Sequence, residues 1–177
     1  MPAPAGHPND RCACGARLVE RSRERIRGFI ARRFRAAGLE RLVASLLEAQ
    51  GYRVHRAPAG PDGGVDLIAG CGPMGFDPPR LCVQVKSREK PVDVRVIREL
   101  QGAVSRFKAD HGLLVSWSGF TPPARREARQ AYFQIRLWDS DDVLCALFEH
   151  YDRLPGDLRA ELPLRRLWIL ALEGEGE

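Results

Sequence analysis

The sequence predicts an α/β fold in which a mixed β-sheet carries helices on both faces. Apolar residues recur at helical period in four segments, and five short segments with strand character lie between them. The predicted order is helix, three strands, helix, strand, helix, strand (αβββαβαβ), and a further helix closes the series. Consecutive strands joined by turns favour an antiparallel meander, and strands separated by helices favour parallel pairing. Both patterns together imply a mixed sheet.

The helical period of the first segment runs from Ser22 to Gln50. Gly38 is expected to divide this segment into two helices, and Gly51 is expected to cap the second. Strands are then predicted at YRVHRA, GVDLIAG, RLCVQVKS, HGLLVSW and IRLWD. The remaining helices are predicted over 94–109, over TPPARREARQAYF with Thr121 at its N-cap, and over DSDDVLCALFEHYDRL with Asp139 or Ser140 at its N-cap.

A chain of 177 residues fits one folded domain with extensions. We divide it into a basic, partly helical N-terminal extension (1–37), a folded core (38–150) and a C-terminal extension with an acidic tail (151–177). The apolar runs are too short to span a membrane, and the N-terminus lacks the apolar region of a secretion signal. We therefore expect a cytoplasmic protein with no membrane association.

The N-terminal part of the chain is strongly basic. Ten arginines lie between Arg11 and Arg41, against three glutamates. Such a segment is attracted to DNA phosphates whatever the base sequence, although a solvated helix face is an equally simple explanation. Arg33 and Arg35 are our candidates for DNA contacts. Apolar residues at helical spacing in the same segment are expected to pack on the core or on a second subunit, so a homodimer or higher oligomer is expected.

Polar residues interrupt two of the predicted buried strands. Asp66 lies in GVDLIAG, and Gln84 and Lys86 lie in LCVQVKS. Because residues two apart in a strand point to the same face, Gln84 and Lys86 share one face while Val83 and Val85 pack on the other. Asp66 can lie opposite them if the two strands pair. A core ion pair is the structural alternative, but buried pairs seldom add net stability, so the pattern favours a functional site.

The residue types at this site suit metal-assisted hydrolysis of phosphodiesters. Carboxylate and amide oxygens, as in Asp66 and Gln84, are hard ligands that suit Mg²⁺ or Mn²⁺. Glu40, on the preceding helix, could supply a second carboxylate. Lys86 beside the metal could orient or deprotonate the attacking water and offset charge in the transition state.

These residues also carry a family resemblance. Five stretches of the chain resemble the catalytic domain of Mrr-type restriction endonucleases, a branch of the PD-(D/E)XK nuclease superfamily whose third motif reads Q-x-K. The resemblance runs from Gly38 to Phe148. The stretches are GLERLVASLLEAQGYRV, GPDGGVDLIAG, CVQVKS, VIRELQGAVSRFKADHGLLVSWSGFTPPAR and IRLWDSDDVLCAL.

The resemblance implies a restriction-endonuclease-like fold and a role for each matching residue. Asp66 would be the central metal ligand, Gln84 would stand in the usual acidic ligand position, and Lys86 would be the catalytic lysine. Glu40 would be the ancillary metal-binding acid. Gln101 falls where the family often has a polar residue, which makes it a candidate for substrate binding; a plain surface role is its alternative.

The function implied is that of a Mg²⁺-dependent DNA endonuclease acting in restriction of foreign or modified DNA. A structure-directed nuclease for DNA repair or junction processing uses the same core and stays open. A binding module that has lost turnover is a third reading, disfavoured because the set of Asp66, Gln84 and Lys86 is intact.

Cys12 and Cys14 form the remaining motif. Cys-x-Cys-Gly followed by a basic strand-like run resembles one knuckle of a zinc ribbon. A closed zinc site needs four ligands, and no second Cys or His pair follows at ribbon spacing. A plain loop or a degenerate remnant is therefore favoured over a zinc site.

Overall fold

The computed structural model describes residues 9–57 and 64–166, with side chains from residue 18 onward within those ranges. The acidic tail and most of the predicted turn before Gly64 lie outside the described residues. The side chains of Cys12 and Cys14 also lie outside them.

Six helices and five strands make up the described chain, with a short 3₁₀ turn at Tyr151–Arg153. The helices are α1 (Asn9–Arg33), α2 (Ala37–Ala49), α3 (Val94–Phe107), α4 (Pro122–Gln130), α5 (Ser140–His150) and α6 (Gly156–Glu161). The strands are β1 (Arg53–Arg56), β2 (Leu67–Cys71), β3 (Asp77–Lys86), β4 (His111–Ser116) and β5 (Ile135–Trp138).

The five strands form one sheet in the order β1-β2-β3-β4-β5. The pairs β1–β2 and β2–β3 are antiparallel, whereas β3–β4 and β4–β5 are parallel. This is the predicted meander followed by parallel strands that are linked through helices. The predicted α/β class with a mixed sheet is confirmed.

Helices cover both faces of this sheet. Val83 and Val85 point into a core shared with α1, α2, α5 and α6, whereas Cys82 points into a second core formed with α3 and α4. The alternation predicted for this strand therefore holds. Helix residues that fill the first core include Leu42, Leu46, Leu144 and Leu147, and those that fill the second include Ile97, Leu100, Ala124 and Ala128.

Helix α1 differs from expectation at both ends. Its backbone is helical from Asn9, through the Cys12–Cys14 segment that we expected to be a loop or a basic strand. Near its C-terminus, Ile30 and Phe34 are buried in the first core. The apolar face of the basic segment thus packs on the domain's own core at these two positions.

The break between α1 and α2 falls at residues 34–36 and not at Gly38, which lies in the first turn of α2. Ala36 adopts a positive φ of 45°, and its amide donates to Ser87 Oγ at 3.2 Å, just beyond the end of β3. A tertiary contact thus fixes the break. Gly51, with φ of 100°, ends α2 as predicted.

Most other boundaries agree with the sequence. Thr121 and Asp139 cap α4 and α5 through their side chains, as predicted. Helix α6 was not predicted, because six residues are too few to display helical period. Strand β2 begins one residue after Asp66, so this carboxylate lies at the strand's entrance and not within it. No helix among the described residues is long and apolar enough to cross a bilayer.

Candidate active site

Asp66 lies where β2 begins to pair with β3. The register pairs Leu67 with Val83, and continuing it by one residue sets Asp66 opposite Gln84. The Asp66 amide donates to Val83 O at 2.9 Å, and the Val85 amide donates to Asp66 Oδ2 at 2.6 Å. Both bonds hold the carboxylate against β3. Its Oδ1 accepts no hydrogen bond from the described residues, so one oxygen is free to bind a ligand.

Gln84 is buried in the middle of this site, with 3% of its surface exposed. Its Oε1 is fully buried and has no hydrogen-bond partner in the described part of the chain. Leaving a buried polar group unpaired costs about 1–3 kcal/mol. An amide oxygen held in this way is suited to a ligand that enters the site, such as a cation.

The backbone of Gly64 covers the Gln84 amide. A Cβ at position 64 would lie 2.6 Å from Gln84 Nε2, and the φ of Gly64 is +73°, a conformation that favours glycine. Only a residue without a side chain lets the backbone approach so closely. Sequence reasoning missed this role, although the two glycines immediately before Val65 were a signal of a close backbone approach.

Lys86 ends β3 on the same sheet face as Gln84. It is half-buried and pairs with Ser116 of β4, and its carbonyl accepts from the Trp117 amide at 3.1 Å. No acidic side chain of the described residues lies within ion-pair distance of its ammonium group. The ammonium is therefore available to a ligand at this end of the sheet.

Glu40 enters the site from the first turn of α2. Burial raises the pKa of its carboxyl, repulsion from Asp66 raises it further, and Arg56 and Lys86 partly offset both effects. Each of these charges therefore acts on the Glu40 carboxyl from a distance, and none of them forms an ion pair with it in the described part of the chain. The hydrogen bond from the Val85 amide places Asp66 beside Gln84 and Lys86. Glu40 lies within electrostatic reach of Asp66 and Lys86, and so does Arg56, which the sequence did not single out.

The oxygen atoms of this cluster fit a hard divalent cation. Two carboxylates and one unpaired amide oxygen are the ligand types that Mg²⁺ and Mn²⁺ accept alongside water. Nowhere in residues 18–57 and 64–166 do three or more His, Cys, Asp or Glu side chains gather in a metal-binding group. The amide of Gln84 is therefore needed as the third protein oxygen.

The three predicted substrate-binding residues differ in position. Arg35 is exposed and precedes Ala36, whose amide bonds to Ser87 beside Lys86, so it lies near the site. Arg33 is also exposed, but its charge acts at α6: the hydrogen bond from Arg41 lowers the pKa of Glu161, and the charge of Arg33 lowers it further. Gln101 is half-buried on α3, and within the described chain its side chain forms no hydrogen bond to the four predicted catalytic residues.

Comparisons with known proteins identify the family and related folds. A family model described as a restriction endonuclease (Mrr_cat) matches residues 31–147. An uncharacterised mitochondrial protein of Schizosaccharomyces pombe is 32% identical over 85 residues, which cover 46% of this chain and 34% of that protein.

Two solved structures of restriction endonucleases are similar to this chain. The DNA modification-dependent restriction endonuclease AspBHI superposes with a TM-score of 0.61 at 19% identity, over 80% of this chain and 38% of that one. MspJI restriction endonuclease in complex with a 27-mer oligonucleotide gives a TM-score of 0.44 at 19% identity, over 90% and 36% of the two chains. This chain spans little more than a third of the length of each of these two proteins. The similarity to AspBHI shows that the two chains share a fold.

The raised pKa of Glu40 predicts a pH-dependent cost to stability. The folded protein binds this proton more tightly than the unfolded chain, so the carboxyl's stabilising contribution is complete below about pH 4.5 and is lost as pH rises through the raised pKa. We expect Glu40→Gln to unfold at a higher urea concentration than the wild type at pH 7 in EDTA. The two proteins should converge at pH 4.

Glu48→Gln, which removes an exposed carboxylate from the same helix, is the matched control and should change the midpoint less. Equal midpoints for the wild type and Glu40→Gln at pH 7 would contradict the assigned burial and the repulsion between Glu40 and Asp66.

Proposed function

The chain belongs to the Mrr_cat restriction endonuclease family, and on that premise we propose that it is a metal-dependent DNA endonuclease acting in restriction of foreign or modified DNA. The observation that carries the proposal is the buried Gln84, whose amide oxygen has no partner among the described residues. Its neighbour Val85 holds the Asp66 carboxylate, and Lys86 follows directly. A purely structural core residue would have its polar atoms paired.

We assign the metal ligands to Asp66, Gln84 and Glu40, with Mg²⁺ as the cofactor and Mn²⁺ as a substitute. When bound, a divalent cation supplies a more acidic water and stabilises charge on the phosphoryl oxygens. The assignment is supported by Asp66 Oδ1 and Gln84 Oε1, neither of which has a hydrogen-bond partner in the part of the chain that the structure describes. Glu40 must lose its proton to bind, so its raised pKa predicts weaker metal binding in acid.

Lys86 acts on the attacking water and on the phosphate in this proposal. Its ammonium group is unpaired among the described residues and lies on the Gln84 face, where it can orient the water with one N–H. As negative charge grows on the phosphate in the transition state, a fixed positive charge at this position stabilises it.

DNA binding is assigned to the arginines of the basic segment that remain exposed. Arg23 and Arg27 bind Asp141 of α5, so these two are engaged within the domain. The exposed arginines include Arg21, Arg25, Arg32, Arg33 and Arg35. They would bind backbone phosphates and so add affinity without reading base sequence.

We also propose a homodimer or higher oligomer, because one active site cuts one strand. Ile30 and Phe34 pack in the core, but Leu18 and Val19, about three turns before Ile30 on α1, are each 49% exposed. Apolar side chains on an otherwise basic helix suit a contact between two subunits.

Asp66 provides the first test of the metal-dependent reaction. Asp66→Ala should abolish plasmid cleavage in Mg²⁺ and leave DNA affinity unchanged or tighter, because it removes both a metal ligand and a negative charge that faces phosphate. Cleavage by the wild type should stop in EDTA. Gel-based cleavage and fluorescence anisotropy measure the two properties.

Asp66→Asn is the variant that preserves folding, since its amide oxygen can still accept from the Val85 amide. Wild-type cleavage rates in both variants would remove Asp66 from the reaction and with it the proposed mechanism. Loss of cleavage with an unchanged thermal midpoint in Asp66→Asn separates a catalytic defect from misfolding.

The proposed stabilisation of transition-state charge by Lys86 is tested by removing the ammonium group. Lys86→Ala should lower the single-turnover cleavage rate by about 100-fold or more, the range seen when a charge-stabilising group is removed. DNA affinity should change little, because one charge among many basic residues is a small part of binding.

Lys90→Ala is the matched control, since Lys90 is an exposed lysine in the loop after β3. It should leave the single-turnover rate near that of the wild type. If Lys86→Ala instead weakens DNA binding strongly and cleaves at an unchanged rate, Lys86 is a binding residue only.

A further inference from the structure

We infer that Arg56 is a further substrate-binding residue, whose guanidinium binds a DNA backbone phosphate next to the one that is cleaved. The inference rests on the proposed nuclease function and adds to it a residue that neither the motif nor the basic segment contains. Three observations carry it: the position of Arg56 beside Asp66, the sheet face that it occupies, and the absence of an ion-pair partner for it among the described residues.

Arg56 is the last residue of β1 and lies beside the entrance of β2. It pairs with Leu67, the residue after Asp66. The next amide along the chain, that of Ala57, donates to Asp66 O at 3.0 Å. The backbone of Arg56 is therefore fixed to the strand entrance that carries the central carboxylate.

The side chain of Arg56 approaches the site from the face opposite to Lys86. Val54 packs against the core that contains α2, and residues two apart in a strand share a face, so Arg56 points to the α2 side near Glu40. Lys86 lies on the Gln84 face, so the two cations flank the carboxylates from the two sides of the sheet.

Arg56 is exposed and has no hydrogen-bond or ion-pair partner in the described residues. Several other arginines, by contrast, bind a carboxylate: Arg27, Arg41, Arg80, Arg98 and Arg125. The guanidinium of Arg56 thus keeps its planar set of donors for a ligand, and phosphate oxygens match that geometry. With the carboxylates bound to a cation, a phosphate is the anion left for Arg56 to bind.

The test compares Arg56→Ala with Arg53→Ala, which removes an exposed arginine from the opposite end of the same strand. Binding of a short DNA duplex is measured by anisotropy in EDTA at several salt concentrations. We expect Arg56→Ala to bind several-fold more weakly and to lower the slope of log affinity against log salt by about one. Arg53→Ala should match the wild type, and Arg56→Lys should recover part of the affinity.

If Arg56 acts only by influencing the Glu40 carboxyl and does not bind DNA, the result will be different. Arg56→Ala would then keep the wild-type affinity and salt slope while the pH dependence of Mn²⁺ binding shifts, and the inference would be overturned. Failure of the nuclease proposal is distinguishable: in that case either the wild type would not cleave DNA in Mg²⁺, or Asp66→Asn would cleave it as fast as the wild type. If the wild type cleaves and Arg56→Ala binds DNA normally, only the inference on Arg56 fails.

Discussion

The hydrogen bond from the Val85 amide to the Asp66 carboxylate is the interaction on which the site depends. An antiparallel partner strand would normally offer a backbone carbonyl to this amide, and here a side-chain oxygen takes that place at 2.6 Å. The bond ties Asp66 to the one residue that separates Gln84 from Lys86. A single backbone amide thus fixes the positions of a carboxylate, an amide and an ammonium relative to one another.

The surrounding fold brings the remaining charges to this point. Helix α2 carries Glu40 in its first turn, and the contact between Ala36 and Ser87 sets where that helix begins relative to the end of β3. Burial and the neighbouring Asp66 both oppose ionisation of Glu40, so without a cation the site lowers the stability of the fold. Such a cost is expected where a site is arranged for a ligand and not for the folded chain alone.

Much of this could be predicted from the sequence because the relevant signals are local. Asp66, Gln84 and Lys86 stand out as polar residues in apolar strands, and strand alternation puts the last two on one face. Three features were not predictable in this way: the start of α2, the length of α1 and the role of Arg56 at the site. They depend on contacts between distant residues, such as Ala36 with Ser87. No local pattern encodes these contacts, and Gly38 therefore appeared to be a better helix break than Ala36.

The most direct test of the proposed metal site is Mn²⁺ binding by isothermal titration calorimetry to the wild type and to Gln84→Leu at pH 7.5. Leucine fills a similar volume but has no donor atom, so the variant should lose most of the affinity while Gln101→Leu binds as the wild type does. Glutamate at position 84 should retain binding, since it supplies the same oxygen with a charge. Equal Mn²⁺ affinity in the wild type and Gln84→Leu would contradict the account.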